Sequence, residues 1–289
     1  MSISSDISGH PPDSGEALQI AGRLEEARAA YLRALEQKAD DPRLLSNYGG
    51  LLFALGEFRE ASGILMKAVA LKADFPDAWS NLGNTFLQLQ KYGEAIDAYT
   101  RCLRLQPGHR MALSNLGVAL DGLGEHAAAL NFHNTAIRID PDNPESRTNR
   151  AISLLAAGDY PEGFREYEWR WKSRTTKQHG ILTPLWDGTP FEGRTLLIHT
   201  EGGFGDVLQF ARFIPMTKAR GGRVVLRIRP ELRTLLSRIP GVDMIVSDQE
   251  PVPPHDFQIP VLSLPLALRI TTATIPFAQG DVLPENVTI

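Results

Sequence analysis

The sequence has little cysteine, no long apolar run and no excess of basic charge, and each shortage excludes a class of protein. Its one cysteine, Cys102, cannot form an intramolecular disulfide, which fits a reducing compartment and predicts a cytoplasmic location. No run of about 18 apolar residues is present, so no membrane span is expected. The net charge of −4 argues against general nucleic-acid binding, which needs a basic face.

The common catalytic and metal-binding motifs are also missing. The sequence contains no HExxH, no paired CxxC, no GxSxG and no phosphate-binding Gly-Lys-Ser/Thr loop. Neither a metal nor a cofactor is therefore expected. With 289 residues, of which 43% are hydrophobic, the chain is long enough for about two globular domains.

The sequence does contain an internal repeat of 34 residues. The motif Ser-Asn-Leu-Gly at 80–83 recurs at 114–117, and Pro107 recurs as Pro141 with the same offset. One asparagine keeps its place in four copies: Asn47, Asn81, Asn115 and Asn149. A glycine with another phase recurs in four copies, with Gln90 as the exception: Gly22, Gly56, Gly124 and Gly158. A fixed period of this length indicates a solenoid of stacked units.

These positions resemble the tetratricopeptide repeat, in which each copy is a pair of antiparallel helices. The resemblance implies an α-solenoid over residues 15–174, with three full repeats between divergent first and last copies. The recurrent glycine at Gly49, Gly83 and Gly117 would let two helices approach closely, and the glycine of the other phase suits a left-handed helix end. Residues 1–14 are polar, and we predict that they are disordered.

After a connector at 175–193, rich in proline and glycine, the hydrophobic pattern changes its period. Short apolar runs predict strands at 194–200, 223–229, 243–247 and 257–261. Helical patterns follow three of these runs, at 206–220, 230–239 and 262–268. Alternation of strands and helices predicts a Rossmann-like α/β lobe with a parallel sheet over 194–289.

A glycine-rich turn after the first strand holds the candidate ligand site of this lobe. Gly202, Gly203 and Gly205 allow close backbone approach, and the N–H groups of a following helix favour anions. The GxGxxG dinucleotide fingerprint fails, because Leu208 occupies the place of its last glycine, and Arg227 and Arg229 stand where an acidic residue is required. A dinucleotide-dependent enzyme is therefore disfavoured.

The stretch 196–215, LLIHTEGGFGDVLQFARFIP, resembles the opening of heptosyltransferase-like glycosyltransferases. The whole plan is similar to that of bacterial O-GlcNAc transferase-like proteins, although the turn lacks the catalytic motifs of the peptide O-GlcNAc transferases. The resemblance implies half of a GT-B fold, with Asp206 as the general base on an acceptor hydroxyl. An aspartate at a helix start is also an ordinary N-cap, and the sequence alone leaves both roles open.

Two functions remain open at this stage. In the first, a groove lined by the four asparagines binds a protein or peptide, and the α/β lobe is the acceptor side of a glycosyltransferase. The 96 residues from Arg194 to Ile289 suffice for one lobe, so a C-terminal lobe is expected to be absent and a sugar nucleotide to bind only if a second lobe is supplied. In the second, the chain is a non-enzymatic interaction adaptor.

Overall fold

The computed structural model describes residues 14–173 and 180–276 of the chain. The predicted disorder of residues 1–14 falls, except for Ser14, outside the described residues. The chain divides into two compact units between Ser153 and Leu154, and each unit is described by itself. The domain boundaries expected from the sequence stay predictions.

The first unit is a stack of helical hairpins, which confirms the solenoid predicted from the repeat. Its helices are α1 (Gly15–Ile20), α2 (Leu24–Gln37), α3 (Pro42–Ala54), α4 (Phe58–Leu71), α5 (Pro76–Gln88), α6 (Tyr92–Leu105), α7 (Arg110–Gly122) and α8 (His126–Ile139). Helix α9 (Pro144–Ala156) crosses the division between the units. The first helix of each hairpin contacts the first helix of the next, so that α1, α3, α5 and α7 form one layer.

A glycine in the first helix of each hairpin touches a large side chain of the second helix. A Cβ atom added at Gly83 would lie 2.5 Å from Cε1 of Tyr99, and one added at Gly49 would lie 2.5 Å from Cγ of Leu65. Real Cβ atoms do not come so close to a neighbouring carbon, so only glycine permits this approach of the two helices.

The turn between the two helices of a hairpin requires a residue in the left-handed backbone conformation, with a positive φ angle. Gly56 and Gly124 have φ values of 80°, while Gln90, at the same place in the third hairpin, has φ 57°. A residue with a side chain in this conformation costs roughly 1–2 kcal/mol. The exception seen in the sequence is therefore a strained position and not a different turn.

The core of the first unit runs through the hairpins and includes the single cysteine. Cys102 in α6 is fully buried, and burial raises the pKa of its thiol to about 11. A thiol that stays protonated in an apolar core is unreactive, so Cys102 serves packing.

The second unit contains a four-stranded parallel sheet in the order β3-β2-β1-β4, which confirms the predicted α/β region. The strands are β1 (Thr195–His199), β2 (Arg223–Ile228), β3 (Met244–Ser247) and β4 (Phe257–Pro260). Just before β1 in the chain, Leu185 forms an isolated parallel bridge with Gln258 of β4.

Short helices accompany the sheet. They are α10 (Tyr160–Tyr167), α11 (Phe204–Phe210), α12 (Ile214–Lys218), α13 (Arg233–Leu236) and α14 (Leu264–Ala267). The main core joins alternate residues of the strands to these helices and to Trp186, which is 2% exposed. The opposite sheet face holds a smaller buried cluster of Leu197, Val225 and Val246.

The helix expected at 206–220 is interrupted. A 3₁₀ turn at Ala211–Phe213 separates α11 from α12, and Pro215 occupies the first turn of α12, where its missing N–H is tolerated. Within residues 14–173 and 180–276, no helix combines the length and the hydropathy that a bilayer crossing demands.

The close helix approach gives a first testable expectation. Gly83→Ala should lower the free energy of unfolding by about 1–3 kcal/mol, because the new methyl group would overlap the ring of Tyr99. Gly63→Ala is the matched control: Gly63 lies inside α4 with open space around it, so the alanine should stabilise the helix by about 1 kcal/mol. Equal urea midpoints for the two variants would contradict this account of the packing.

Candidate functional site

The four recurrent asparagines occupy the same place on the first helices of successive hairpins. They are Asn47 in α3, Asn81 in α5, Asn115 in α7 and Asn149 in α9, and all four side chains are half-buried. Because α3, α5 and α7 contact one another in sequence, their members lie along one surface, which we call the asparagine row. An amide offers both a donor and an acceptor to a polypeptide backbone.

Two members of the asparagine row donate to neutral side chains of the preceding repeat. Nδ2 of Asn115 donates to Oδ1 of Asn84 over 2.8 Å, and the hydroxyl of Tyr99 donates to the same oxygen over 2.8 Å. Nδ2 of Asn149 donates to Oγ of Ser114 over 3.2 Å. These amides therefore hold neighbouring hairpins together.

The other two members differ from each other. Nδ2 of Asn47 donates to the carboxylate of Glu16 in α1. The side chain of Asn81 makes no hydrogen bond to any of the residues that the structure describes. The sequence predicted the row but not this difference, because the partner of each amide lies in another repeat.

An open cavity of about 730 Å³ adjoins the first members of the row. Its lining combines apolar and charged side chains: Glu16, Gln19, Ile20, Tyr31, Arg43, Asn47, Phe75 and Asp77. Ile20 is 69% exposed. The ring of Tyr31 is buried, and burial, with a smaller contribution from the charge of Glu16, raises the pKa of its hydroxyl. Sequence analysis did not single out this cavity, since its walls come from three different hairpins.

A polar cluster lies further along the first unit, around Asp121 of α7. The carboxylate accepts from Oγ of Ser153 over 2.6 Å and lies 2.9 Å from Nδ1 of His126 and 3.3 Å from Nε2 of His133. Burial raises the pKa of Asp121, but the hydrogen bonds from His133, Ser153 and His126 outweigh it and hold the pKa below its ordinary value. The serine donates to the carboxylate and not to a histidine, so this is not the arrangement of a serine nucleophile.

The glycine-rich turn lies at the carboxyl end of β1 and is exposed. The backbone N–H of Gly203 donates to Oδ2 of Asp206 over 2.9 Å. Asp206 lies in the first turn of α11, and its carboxylate thus binds the residue that precedes the helix. Gly202 has φ 75°, a conformation that favours glycine, and its carbonyl accepts from Nη2 of Arg229 over 2.6 Å. The guanidinium of Arg229 also lies 4.3 Å from the ring centre of Phe204. Gly205 has open space around it.

The strand order places a topological switch point between β1 and β4. The chain runs outward from β1 to β2 and β3 and then returns to the other side of β1, and sheets of this kind bind ligands where the order reverses. In this protein the carboxyl ends of β1 and β4 are followed by Glu201 and Ser263.

Arg170 fills this crevice from the 3₁₀ turn Glu168–Lys172. Its Nη2 donates to Oε1 of Glu201 and to Oγ of Ser263, each over 2.7 Å, and its Nη1 donates to Oε1 of Glu168 over 2.7 Å. The rings of Tyr167 and Trp171 each lie 4.7 Å from the guanidinium carbon. Sequence analysis did not identify this arginine.

The pKa shifts agree with a buried ion cluster. Burial disfavours the charged form of Arg170, but the hydrogen bond to Glu201 and the charges of Glu168 and Glu201 outweigh it and raise the pKa of Arg170. Burial raises the pKa of Glu201, against the opposing effect of Arg170. The side chain of Arg170 is 8% exposed, so the pair is shielded from solvent.

Comparison with known proteins supports the identification of the first unit. Models of the tetratricopeptide repeat match residues 18–83, 76–109 and 112–143. The hairpins and these matches together define a tetratricopeptide-repeat solenoid, a class of repeat that indicates a role in protein interaction. No curated protein matches this chain.

Solved structures share this fold. MamA from residue 41 to its end, from Desulfovibrio magneticus RS-1, has a TM-score of 0.51 and 19% identity, covering 56% of this chain and 93% of that chain. A double mutant of RS-1 MamA has a TM-score of 0.50 and 19% identity, covering 55% of this chain and 89% of that one. At such identities the likeness establishes the fold alone.

The buried cluster around Arg170 gives a second testable expectation. Arg170→Met should lower the free energy of unfolding of the second unit by about 3–5 kcal/mol, because it leaves Glu168 and Glu201 without their common cation. The control Arg165→Met removes an exposed arginine of α10 and should change stability by less than about 0.5 kcal/mol.

Chemical denaturation measures both variants. Combining Arg170→Met with Glu168→Gln and Glu201→Gln removes the unpaired charges and should recover part of the loss. An Arg170→Met variant as stable as Arg165→Met would contradict the role of Arg170 in the second unit.

Proposed function

We propose that the first unit is a protein-interaction module that binds an extended polypeptide segment along the asparagine row. The observation that carries this proposal is the alignment of three amides on the contacting helices α3, α5 and α7, with a fourth bonded to α7 from α9, beside an open cavity. An amide can bond to the main chain, which every polypeptide has, so the surface suits partners of varied sequence.

Selection of peptides from a random library tests the proposal. Random dodecapeptides displayed on phage are selected on the protein, and an enriched sequence is synthesised and its affinity measured by fluorescence anisotropy. The double variant Asn81→Ala/Asn115→Ala should weaken binding roughly ten-fold, since a hydrogen bond lost to the peptide costs about 0.5–1.5 kcal/mol. Asn131→Ala is the control, because Asn131 is exposed on α8, outside the row. Failure to enrich any peptide, or equal affinity for the double variant, would refute a peptide site on the row.

For the second unit we propose a relation to the acceptor lobe of a sugar-nucleotide-dependent glycosyltransferase. The exposed turn of Gly202, Gly203 and Gly205 at the end of β1 supports it, together with the carboxylate of Asp206. Oδ2 of Asp206 accepts from the backbone of Gly203, while Oδ1 has no hydrogen bond within the described residues. In this proposal Oδ1 accepts the proton of an acceptor hydroxyl that approaches from solvent.

The resemblance assigns the sugar nucleotide to a second lobe, so this chain alone should bind none. Titration calorimetry with UDP- and ADP-sugars should therefore give no saturable heat. Saturable binding would contradict the assignment of the sugar nucleotide to a second lobe. When a second lobe is supplied, mass spectrometry should detect sugar transfer to the selected peptide with the wild type and not with Asp206→Asn, which keeps the bond from Gly203 but cannot take a proton.

A further inference from the structure

The members of the asparagine row differ in the acceptor that the preceding repeat offers to each amide. Asn47 faces Glu16 and Asn115 faces Asn84, and both amides donate to these side chains. The same offset places Gly50 opposite Asn81, and a Cβ atom added at Gly50 would lie 3.9 Å from Nδ2 of Asn81. Gly50 has no side chain that could accept a hydrogen bond.

The fourth pairing shows that a second residue of the preceding repeat can also be the partner. The residue that corresponds to Gly50 in the fourth hairpin is Val118, which cannot accept a hydrogen bond, and Asn149 donates instead to Ser114. Asn81 has no such substitute within the described residues, because its side chain makes no hydrogen bond to Ser46, the counterpart of Ser114 in the second hairpin. Its amide is half-buried, with both its donor and its acceptor open beside a helix that lacks a side chain at that point.

We propose that Asn81 and Gly50 form the position at which the groove binds the main chain of its partner, while the other asparagines hold the repeats together. This inference rests on the peptide-binding function proposed above and adds its site. The missing side chain at Gly50 leaves room for a backbone to approach α3, and glycine commonly marks such close approach. One amide can then pair with both a carbonyl and an N–H of an extended chain.

The neighbouring cavity specifies the partner further. Asn47 and Asp77, which line the cavity, precede Gly50 and Asn81 by about one helical turn on α3 and α5. One turn rises about 5.4 Å, and an extended chain rises about 3.3 Å per residue. A side chain one or two residues from the bonded main chain therefore reaches the cavity. Ile20, Phe75 and the ring of Tyr31 make an apolar side chain the fitting occupant.

The test uses the whole chain and a synthetic dodecapeptide selected on it from the random library. Asn81→Ala should lower affinity for this peptide about ten-fold, whereas Asn115→Ala should change it less than two-fold and instead lower the melting temperature. A peptide sensitive to Asn115→Ala and insensitive to Asn81→Ala would overturn the inference while leaving the peptide-binding function intact.

Gly50→Asn provides a second test. The new side chain would accept a hydrogen bond from Asn81, as Asn84 accepts one from Asn115. This variant should lose affinity about ten-fold while its melting temperature rises. Gly50→Ala is the matched control: it also replaces the helix glycine with a residue of higher helix preference, but its methyl group cannot accept a hydrogen bond from Asn81, so its affinity should stay within three-fold of the wild type. Equal affinities for Gly50→Asn and Gly50→Ala would overturn the inference.

Peptides with a single N-methylated residue examine the main-chain contact itself. At the peptide position that contacts Asn81, N-methylation should weaken binding to the wild type about ten-fold. It should leave binding to Asn81→Ala unchanged, because this variant lacks the side-chain oxygen that accepts from the peptide N–H. Equal losses for both proteins at every position would contradict main-chain binding by Asn81. Failure to enrich any peptide on the wild type would instead refute the proposed function, and the inference with it.

Discussion

The contact between a glycine of one helix and a large side chain of the next sets the geometry of every hairpin in the first unit. Gly83 turns its bare backbone toward Tyr99, and the two helices approach as closely as that ring allows. Asn81 precedes Gly83 by two residues, which places it about 200° around the helix, on the side away from the packed face. The same constraint that packs the hairpin therefore presents the asparagine on the opposite surface, once in every repeat.

The second unit depends on a different interaction, a cluster of buried charged side chains at the carboxyl end of its parallel sheet. Arg170 lies where sheets with this strand order bind ligands, and it pairs there with Glu168 and Glu201. A buried ion cluster is costly to form, but each member becomes necessary once the others are buried. The chain thus fills its own switch-point crevice, and the exposed part of this sheet end is the glycine-rich turn beside it, with Asp206 and Phe204.

Much of the fold could be predicted because its signals are local and repeated. The 34-residue period located the hairpins, and the alternation of apolar runs with helical patterns located the sheet. The break between α11 and α12 was not foreseen, since an apolar pattern shows which face is buried but not where a helix tightens into a 3₁₀ turn. Arg170 and Glu201 were also missed as a pair, because 31 residues separate them and no period connects their positions.

The asparagine row shows why a recurrent residue is not a recurrent function. Four identical side chains occupy equivalent places, yet three donate to neighbouring side chains of their own chain and one does not. A donor that already has a partner in its own chain gains little from a ligand, whereas an amide without one can exchange its bond to water for a hydrogen bond to a peptide. In a stack of repeats, the binding position is therefore set by whether any side chain of the previous unit accepts a hydrogen bond from the amide. For Asn81 neither place supplies an acceptor: Gly50 has no side chain, and Ser46, the counterpart of Ser114, makes no hydrogen bond to Asn81 within the described residues.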